Sequence, residues 1–213
     1  MKVVLFGATG YAGTAIATEL VTRGHDVTGV ARDSSKPVVD GVTLVSGSLH
    51  DTDFLNDVAS TANAIVVAIP GRELDGKRLV DALPALLAAC DTHVVRLGIV
   101  GGAGSLQVTA GGPRLVDTPD FPEDYKPEVL GQVDVLEALR DSVTTVDWFY
   151  VSPAAGFGSH SPGESTGAYV LGDEELVVGA DGQSRISGAD FALAFVDELE
   201  NPEHHQRRFT VGY

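Results

Sequence analysis

Seven residues near the amino terminus, Gly7-Ala8-Thr9-Gly10-Tyr11-Ala12-Gly13, have types and spacing suited to holding a phosphate. They follow an apolar run, Lys2–Phe6, and precede residues with helical periodicity, so they stand at a strand-to-helix turn. In such a turn Gly7 lets the chain leave the strand tightly, Gly10 lets the backbone approach a pyrophosphate, and Gly13 lets helix and strand pack closely. The helix start, with Thr9, Tyr11 and Ala12 beside the glycines, presents free N–H groups and a partial positive charge to an anion. That combination predicts a dinucleotide.

The end of the second strand reads the adenosine ribose, and an acid there accepts from the 2′-hydroxyl of NAD. This chain has Arg32 at that point. A guanidinium pairs instead with the 2′-phosphate of NADP and can stack on adenine. Asp33, Ser34, Ser35 and Lys36 follow, adding two hydroxyls and an amine, with Asp33 as a competitor for the ribose. NADP(H) is the expected cofactor, and NAD(H) the alternative. In open α/β sheets the rest of such a site comes from the carboxyl ends of later strands. Position alone therefore nominates Ser48 and Leu49, then Ala68, Ile69 and Pro70, then Gly98 to Gly101, and Pro153.

The elements that must hold these residues alternate between β-rich and helical patterns. Strands are predicted at Lys2–Phe6, Asp26–Ala31, Val42–Val45, Ala64–Ile69, His93–Ile99 and Thr145–Val151, and helices at Tyr11–Arg23, Thr52–Ser60, Leu74–Ala89 and Glu128–Asp141. Strands this continuously apolar suit a parallel sheet covered on both faces. In the first helix Gly24 is the expected stop, and in the third Pro84 is an expected kink. After Val151 the texture turns to Pro, Gly and Ser, as in Ser159-His160-Ser161-Pro162-Gly163, which predicts a loop over the cleft. Short strands near Ala168–Leu171 and Glu175–Val178, a helix capped by Ser187 and running to about Glu200, and a strand at Arg208–Val211 complete the prediction. The expected fold class is α/β: a Rossmann-type doubly wound parallel sheet in one domain, residues 1–213, whose part from about 152 forms a small C-terminal substrate-side lobe.

Composition narrows the partners. The formal charge of −16, from 30 acids against 14 bases, repels a phosphate backbone, so no nucleic-acid partner is expected. It also requires the dinucleotide site to gather its own positive charge. No apolar run reaches the roughly 18 residues of a membrane helix, and Val3–Phe6 is too short for a signal-peptide core, so no membrane partner and a cytoplasmic location are expected. Cys90, the lone cysteine, falls on an apolar helix face as a packing residue. His50 reads as a loop residue, and adjacent His204 and His205 lack metal-ligand spacing, so no metal site is expected.

Several segments carry a resemblance to a family: Gly7–Gly13, Gly101-Gly102-Ala103-Gly104-Ser105-Leu106, Asp147-Trp148-Phe149-Tyr150-Val151-Ser152-Pro153-Ala154, and the tail from Ser184-Arg185-Ile186-Ser187 to Phe209-Thr210-Val211-Gly212-Tyr213. Together they make the chain similar to the atypical short-chain dehydrogenase/reductase group of NAD(P)H-binding proteins, with its NmrA-like and biliverdin-reductase-B-like members. Within that group it looks most like bacterial proteins labelled as NADH-flavin reductases. The resemblance implies a reductase with a small-molecule acceptor, and it makes Ser105 a candidate substrate-orienting hydroxyl. Tyr125 stands just before the helix where the superfamily's catalytic tyrosine is expected. The superfamily's lysine, four residues after that tyrosine, is missing: Ala15, Val129, Ala154 and Asp173 follow Tyr11, Tyr125, Tyr150 and Tyr169 at that spacing, and Tyr213 ends the sequence. Without that pair to set the phenol's pKa, two expectations follow. One is NADPH-dependent reduction of a flavin, quinone or similar planar acceptor, with Ser105 and Tyr125 as the candidate catalytic residues and carbonyl reduction, by a water acting through these two, as alternative chemistry. The other is a non-catalytic NADP(H) sensor of NmrA type that reports to a protein partner.

Overall fold

The computed structural model describes residues 1–33 and 35–213, so Ser34, one of the hydroxyls expected near the ribose, lies outside the described residues. The apolar runs form strands and the periodic runs form helices, alternating through the first half except that the third strand follows the second with no helix between. In chain order these are β1 (Lys2–Phe6), α1 (Tyr11–Thr22), β2 (Asp26–Ala31), β3 (Val42–Ser46), α2 (Thr52–Ala59), β4 (Ala64–Val67), α3 (Leu79–His93) and β5 (Arg96–Val100). Then come α4 (Lys126–Asp141), β6 (Trp148–Pro153), β7 (Val170–Gly172), α5 (Gly188–Glu200) and β8 (Arg207–Gly212).

The strands make one eight-stranded sheet in the order β3-β2-β1-β4-β5-β6-β8-β7. Every neighbouring pair is parallel except β7 with β8. This is the doubly wound Rossmann-like architecture, and it has two cores because alternate strand residues face opposite sides. Val4, Phe6, Ile65, Val67, Leu97 and Ile99 pack under α2, α3 and α4. Val3, Leu5, Val66, Phe149 and Val151 pack under α1 and α5. The chain crosses from one side of β1 to the other between β3 and β4, which opens a crevice above the carboxyl ends of β1 and β4.

The boundaries correct the sequence reading at several points. Residues 74–78 do not belong to α3: Leu74 and Lys77 exchange backbone hydrogen bonds of 2.9 and 3.1 Å around Asp75 and Gly76, both at positive φ. That is a two-residue hairpin of type I′, for which Asp-Gly is a preferred sequence. At its other end α3 continues through Pro84 to His93, where Val94 turns left-handed (φ 55°) and Val95 N–H closes the helix on the Cys90 carbonyl at 2.9 Å. The strand expected from His93 therefore begins at Arg96. Trp148, not Thr145, opens β6. Glu175–Val178 is no strand, since only Glu175 makes a bridge, to Gln107. Gly24 stops α1 as expected, at φ 80° with its N–H on the Val21 carbonyl. Cys90 is buried in the core, and burial pushes its thiol up to about 12, so it stays protonated at neutral pH. Among the described residues no helix is long and apolar enough to cross a membrane, and no group of three or more His, Cys, Asp or Glu is arranged for a metal ion.

Candidate functional site: a glycine-floored cleft lined with cations

The crevice at the strand-order switch contains a cleft of about 670 Å³. Its floor is the turn from β1 into α1. Gly7 leaves the strand at φ 84°, and a Cβ there would stand 2.3 Å from the Ala68 carbonyl oxygen, so only glycine lets the turn lie against the end of β4. At Gly13 a Cβ would stand 2.1 Å from the Gly7 carbonyl oxygen, which explains how α1 comes so close to the loop. Gly10 differs from both. It has an ordinary φ of −83°, it is exposed, and the nearest atom to its would-be Cβ is the Gly7 oxygen at 3.4 Å. The fold does not require a glycine there, and the lack of a side chain leaves the turn's backbone bare toward the cleft. No side chain caps α1, so its first N–H groups stay available to an anion. Gly10 and its neighbours thus form a cradle fitted to a pyrophosphate.

Nine of the expected cofactor residues line this one cleft: Gly7, Thr9, Gly10, Arg32, Ser48, Leu49, Ala68, Ile69 and Pro70. Gly13 and Ala12 do not line it: Gly13 packs against the Gly7 backbone, and Ala12 packs on the core beneath α1. Tyr11 faces a second groove, where its hydroxyl donates to the Pro162 carbonyl at 3.2 Å and its ring meets Phe157 edge-on at 5.3 Å. Gly98 sits inside β5, where a Cβ would meet the rings of Phe149 at 2.5 Å and Phe195 at 2.9 Å, so its smallness serves core packing. Pro153 ends β6, buried and paired in register with Val211.

Arg32, Lys36, Arg72 and Lys77 bring four cations to the cleft of a protein whose net charge is −16. Against them stand Asp33 and Asp75. Asp33 is folded onto its own turn, accepting from Ser35 N at 3.0 Å and Ser35 Oγ at 2.6 Å, and these bonds hold its carboxyl below the usual range. His50 lies on the wall, where burial, and then the charge of Lys77, lower its pKa. Sequence reasoning missed Asp75 and Lys77 because it placed them inside a helix, and missed Arg72 because nothing local to the loop after β4 marks it as reaching the cleft.

The far wall is anchored to α4. Glu128 Oε1 accepts from Gly71 N at 2.7 Å, Glu128 Oε2 accepts from Arg72 Nη1 at 2.9 Å, and Gln132 Nε2 donates to the Ile69 carbonyl at 3.0 Å. A Cβ on Gly131 would stand 1.9 Å from the Gly71 oxygen, so α4 and the loop touch backbone to backbone.

The two catalytic candidates lie outside this cleft and on different turns. Ser105 ends a one-turn 3-10 helix after β5, and its Oγ accepts from Arg208 Nη1 at 3.1 Å. Arg208 is buried in β8 and pairs with Glu174. Tyr125 caps α4, is half exposed, and has its ring 6.1 Å from that of His160. Next to His160, Ser159 lines the second groove, about 590 Å³, which shares Thr9 and Gly10 with the cleft. Asp190 ties down that groove's outer loop, accepting from Ser165 Oγ and Thr166 N, both at 2.7 Å, and from Gly167 N at 3.0 Å.

A Rossmann-like sheet with an uncapped glycine turn and a basic cleft at its switch point defines a nicotinamide-dinucleotide-binding protein. The chain belongs to the NAD(P)H-binding family, whose model matches residues 7–202. It is 39% identical to YwnB of Bacillus subtilis, over 99% of this chain and 98% of that protein. Among solved structures, a Streptococcus pneumoniae protein described as a proposed NADH-flavin reductase is 34% identical, with a TM-score of 0.81 over 100% of this chain and 99% of that one. A Bacteroides thetaiotaomicron protein described as a proposed epimerase is 35% identical, with a TM-score of 0.85 over 100% and 96% of the two chains.

Proposed function

We propose that the protein is an NADPH-dependent reductase of a flavin, quinone or similar planar acceptor, acting in the cytoplasm. The observation that carries this reading is the concentration of Arg32, Lys36, Arg72 and Lys77 around the glycine cradle of an otherwise acidic molecule. Dinucleotide bound there supplies a hydride. The chain's part is to bind and orient: the α1 N-terminus holds the pyrophosphate, and Arg32 forks onto the 2′-phosphate. The walls of Leu49, Ala68 and Ile69 exclude water from the adenosine side. A planar acceptor that takes its proton from solvent needs no tyrosine–lysine acid, which fits a chain without that spacing. The likeness to a protein described as a proposed NADH-flavin reductase supports the same class of acceptor.

One observation favours the second reading, a sensor that binds NADP(H) without turnover and passes its occupancy to a protein partner. Ser105 Oγ is already engaged by Arg208, the Tyr125 ring lies tilted 6.1 Å from that of His160, and among the described residues no hydrogen bond joins the two hydroxyls. Mixing the protein with NADPH and FMN, riboflavin or a quinone, while following the absorbance of the reduced nicotinamide, separates the readings. The reductase oxidises NADPH well above the uncatalysed control with at least one acceptor. Rates equal to the control across the panel, with NADPH still bound, select the sensor.

A further inference from the structure

The hairpin over the cleft carries a charge with no role in the function proposed above. Asp75, at its tip, forms an ion pair with the Arg32 guanidinium, the group assigned to the 2′-phosphate. Several independent features hold it there. Leu74 and Lys77 close the type I′ turn with reciprocal hydrogen bonds, and Asp75 (φ 54°) and Gly76 (φ 74°) supply its left-handed residues. On one side Gly71 and Arg72 fasten the hairpin to Glu128 of α4. On the other Arg78 caps α3, its backbone N–H and its guanidinium both donating to Asp81. Leu74, Asp75 and Lys77 all line the cleft. A carboxylate is thereby delivered to one cation, on a turn stiffened at both ends.

We infer that Asp75 is a specificity-determining residue: an internal anion that occupies Arg32 in the free protein and is displaced by the 2′-phosphate of the cofactor. The inference rests on the NADPH reading of the site. A ligand with a 2′-phosphate must first release Arg32, so its apparent affinity is reduced by the fraction of molecules in which the pair is closed. A ligand with a plain 2′-hydroxyl makes no demand on Arg32 and binds with the hairpin shut. Asp75 therefore lowers the preference for the phosphorylated cofactor below what Arg32 alone would give, and it leaves the hairpin closed over one cofactor and open over the other. Because both partners are exposed, the pair is weak, and removing the carboxylate has a modest effect of about two- to fivefold.

The probes are adenosine 2′,5′-bisphosphate and 5′-AMP, titrated by calorimetry into the wild-type protein, Asp75→Asn and Arg32→Ala. Asp75→Asn keeps the side chain's size and its tolerance for the left-handed region, so the turn survives. It should bind the bisphosphate two- to fivefold more tightly and AMP unchanged. Its salt dependence for the bisphosphate should be steeper, since salt no longer screens a competing pair along with the phosphate contact. Unchanged or weakened bisphosphate binding by Asp75→Asn, while Arg32→Ala selectively weakens the bisphosphate, overturns the role of Asp75 and leaves the cofactor reading standing. Equal affinity of both probes for wild type and Arg32→Ala overturns both.

Discussion

Gly10 offers a sharp separation of folding from binding. Its φ of −83° is open to any residue, and an added Cβ meets nothing closer than the Gly7 oxygen at 3.4 Å. In Gly10→Val the fold gives up a good N-cap, at about 0.5–1 kcal/mol, and gains a similar amount from the reduced entropy of the unfolded chain. Net stability should change by less than about 1 kcal/mol, a Tm shift within roughly 4 °C for a chain of this length. The isopropyl group, however, fills the space in which the pyrophosphate must meet the α1 N–H groups. Losing two charge-assisted hydrogen bonds at about 1.5–3 kcal/mol each lowers dinucleotide affinity by about two to four orders of magnitude. The controls are Gly7→Ala and Gly13→Ala, whose Cβ atoms would lie 2.3 and 2.1 Å from backbone oxygens, so these should lose stability outright. Thermal unfolding and calorimetric titration of the three variants read both quantities. Retained affinity in Gly10→Val, or a fall in its Tm matching the controls, would refute the cradle.

Three other perturbations follow. Tyr125→Phe removes a half-exposed hydroxyl outside the cleft and should lower turnover by about tenfold or less; a loss of about a thousandfold with cofactor binding intact would make Tyr125 the proton donor. Asp190, buried and bonded to Ser165, Ser187, Tyr213 and backbone N–H groups, has its carboxyl held down at about 2, burial opposing and these hydrogen bonds prevailing. Its contribution is present above the unfolded value near 3.8 and lost as pH falls through about 2, so stability measured between these pH values should decline less steeply in Asp190→Asn than in wild type. Gly131→Ala forces α4 off the Gly71 backbone and should cost about 1–3 kcal/mol of stability together with dinucleotide affinity, although residue 131 does not line the cleft; unchanged affinity in calorimetry would uncouple α4 from the site.

The sequence was most legible where one local pattern decides the outcome. Lys2–Phe6 and Asp26–Ala31 are strands at the bounds their apolar, β-branched runs predict, and the sheet buries Val3 to Phe6, Val27 and Val30. The glycine turn was readable because its partners are seven consecutive residues. Errors arose where two local signals compete. Leu74 through Ala89 has helical spacing, but Asp75-Gly76 is also a hairpin signature, and the Arg32 contact at its tip and the Glu128 contact at its base favour the hairpin. His93 to Val95 reads as the start of a strand because two valines follow the histidine, yet the helix cap closes on Val94 despite its branched side chain. What lay beyond reach was long-range: nothing in the sequence near Ser105 says that a guanidinium 103 residues later will occupy its hydroxyl. The same holds for the cleft's charge, since Arg72 and Lys77 join Arg32 only through the crossover between β3 and β4.

The central claim, an NADPH site built on Arg32, is tested most directly by titrating NADPH and NADH in parallel into wild type and Arg32→Ala at two salt concentrations. Loss of the charge-assisted bonds, about 1.5–3 kcal/mol, should weaken NADPH by about one to two orders of magnitude and leave NADH nearly unchanged. Added salt should erode wild-type NADPH binding more than NADH binding, because Arg32 is exposed and its charge is screened. A wild-type protein that prefers NADH, or an Arg32→Ala variant that weakens both cofactors alike, would contradict the account.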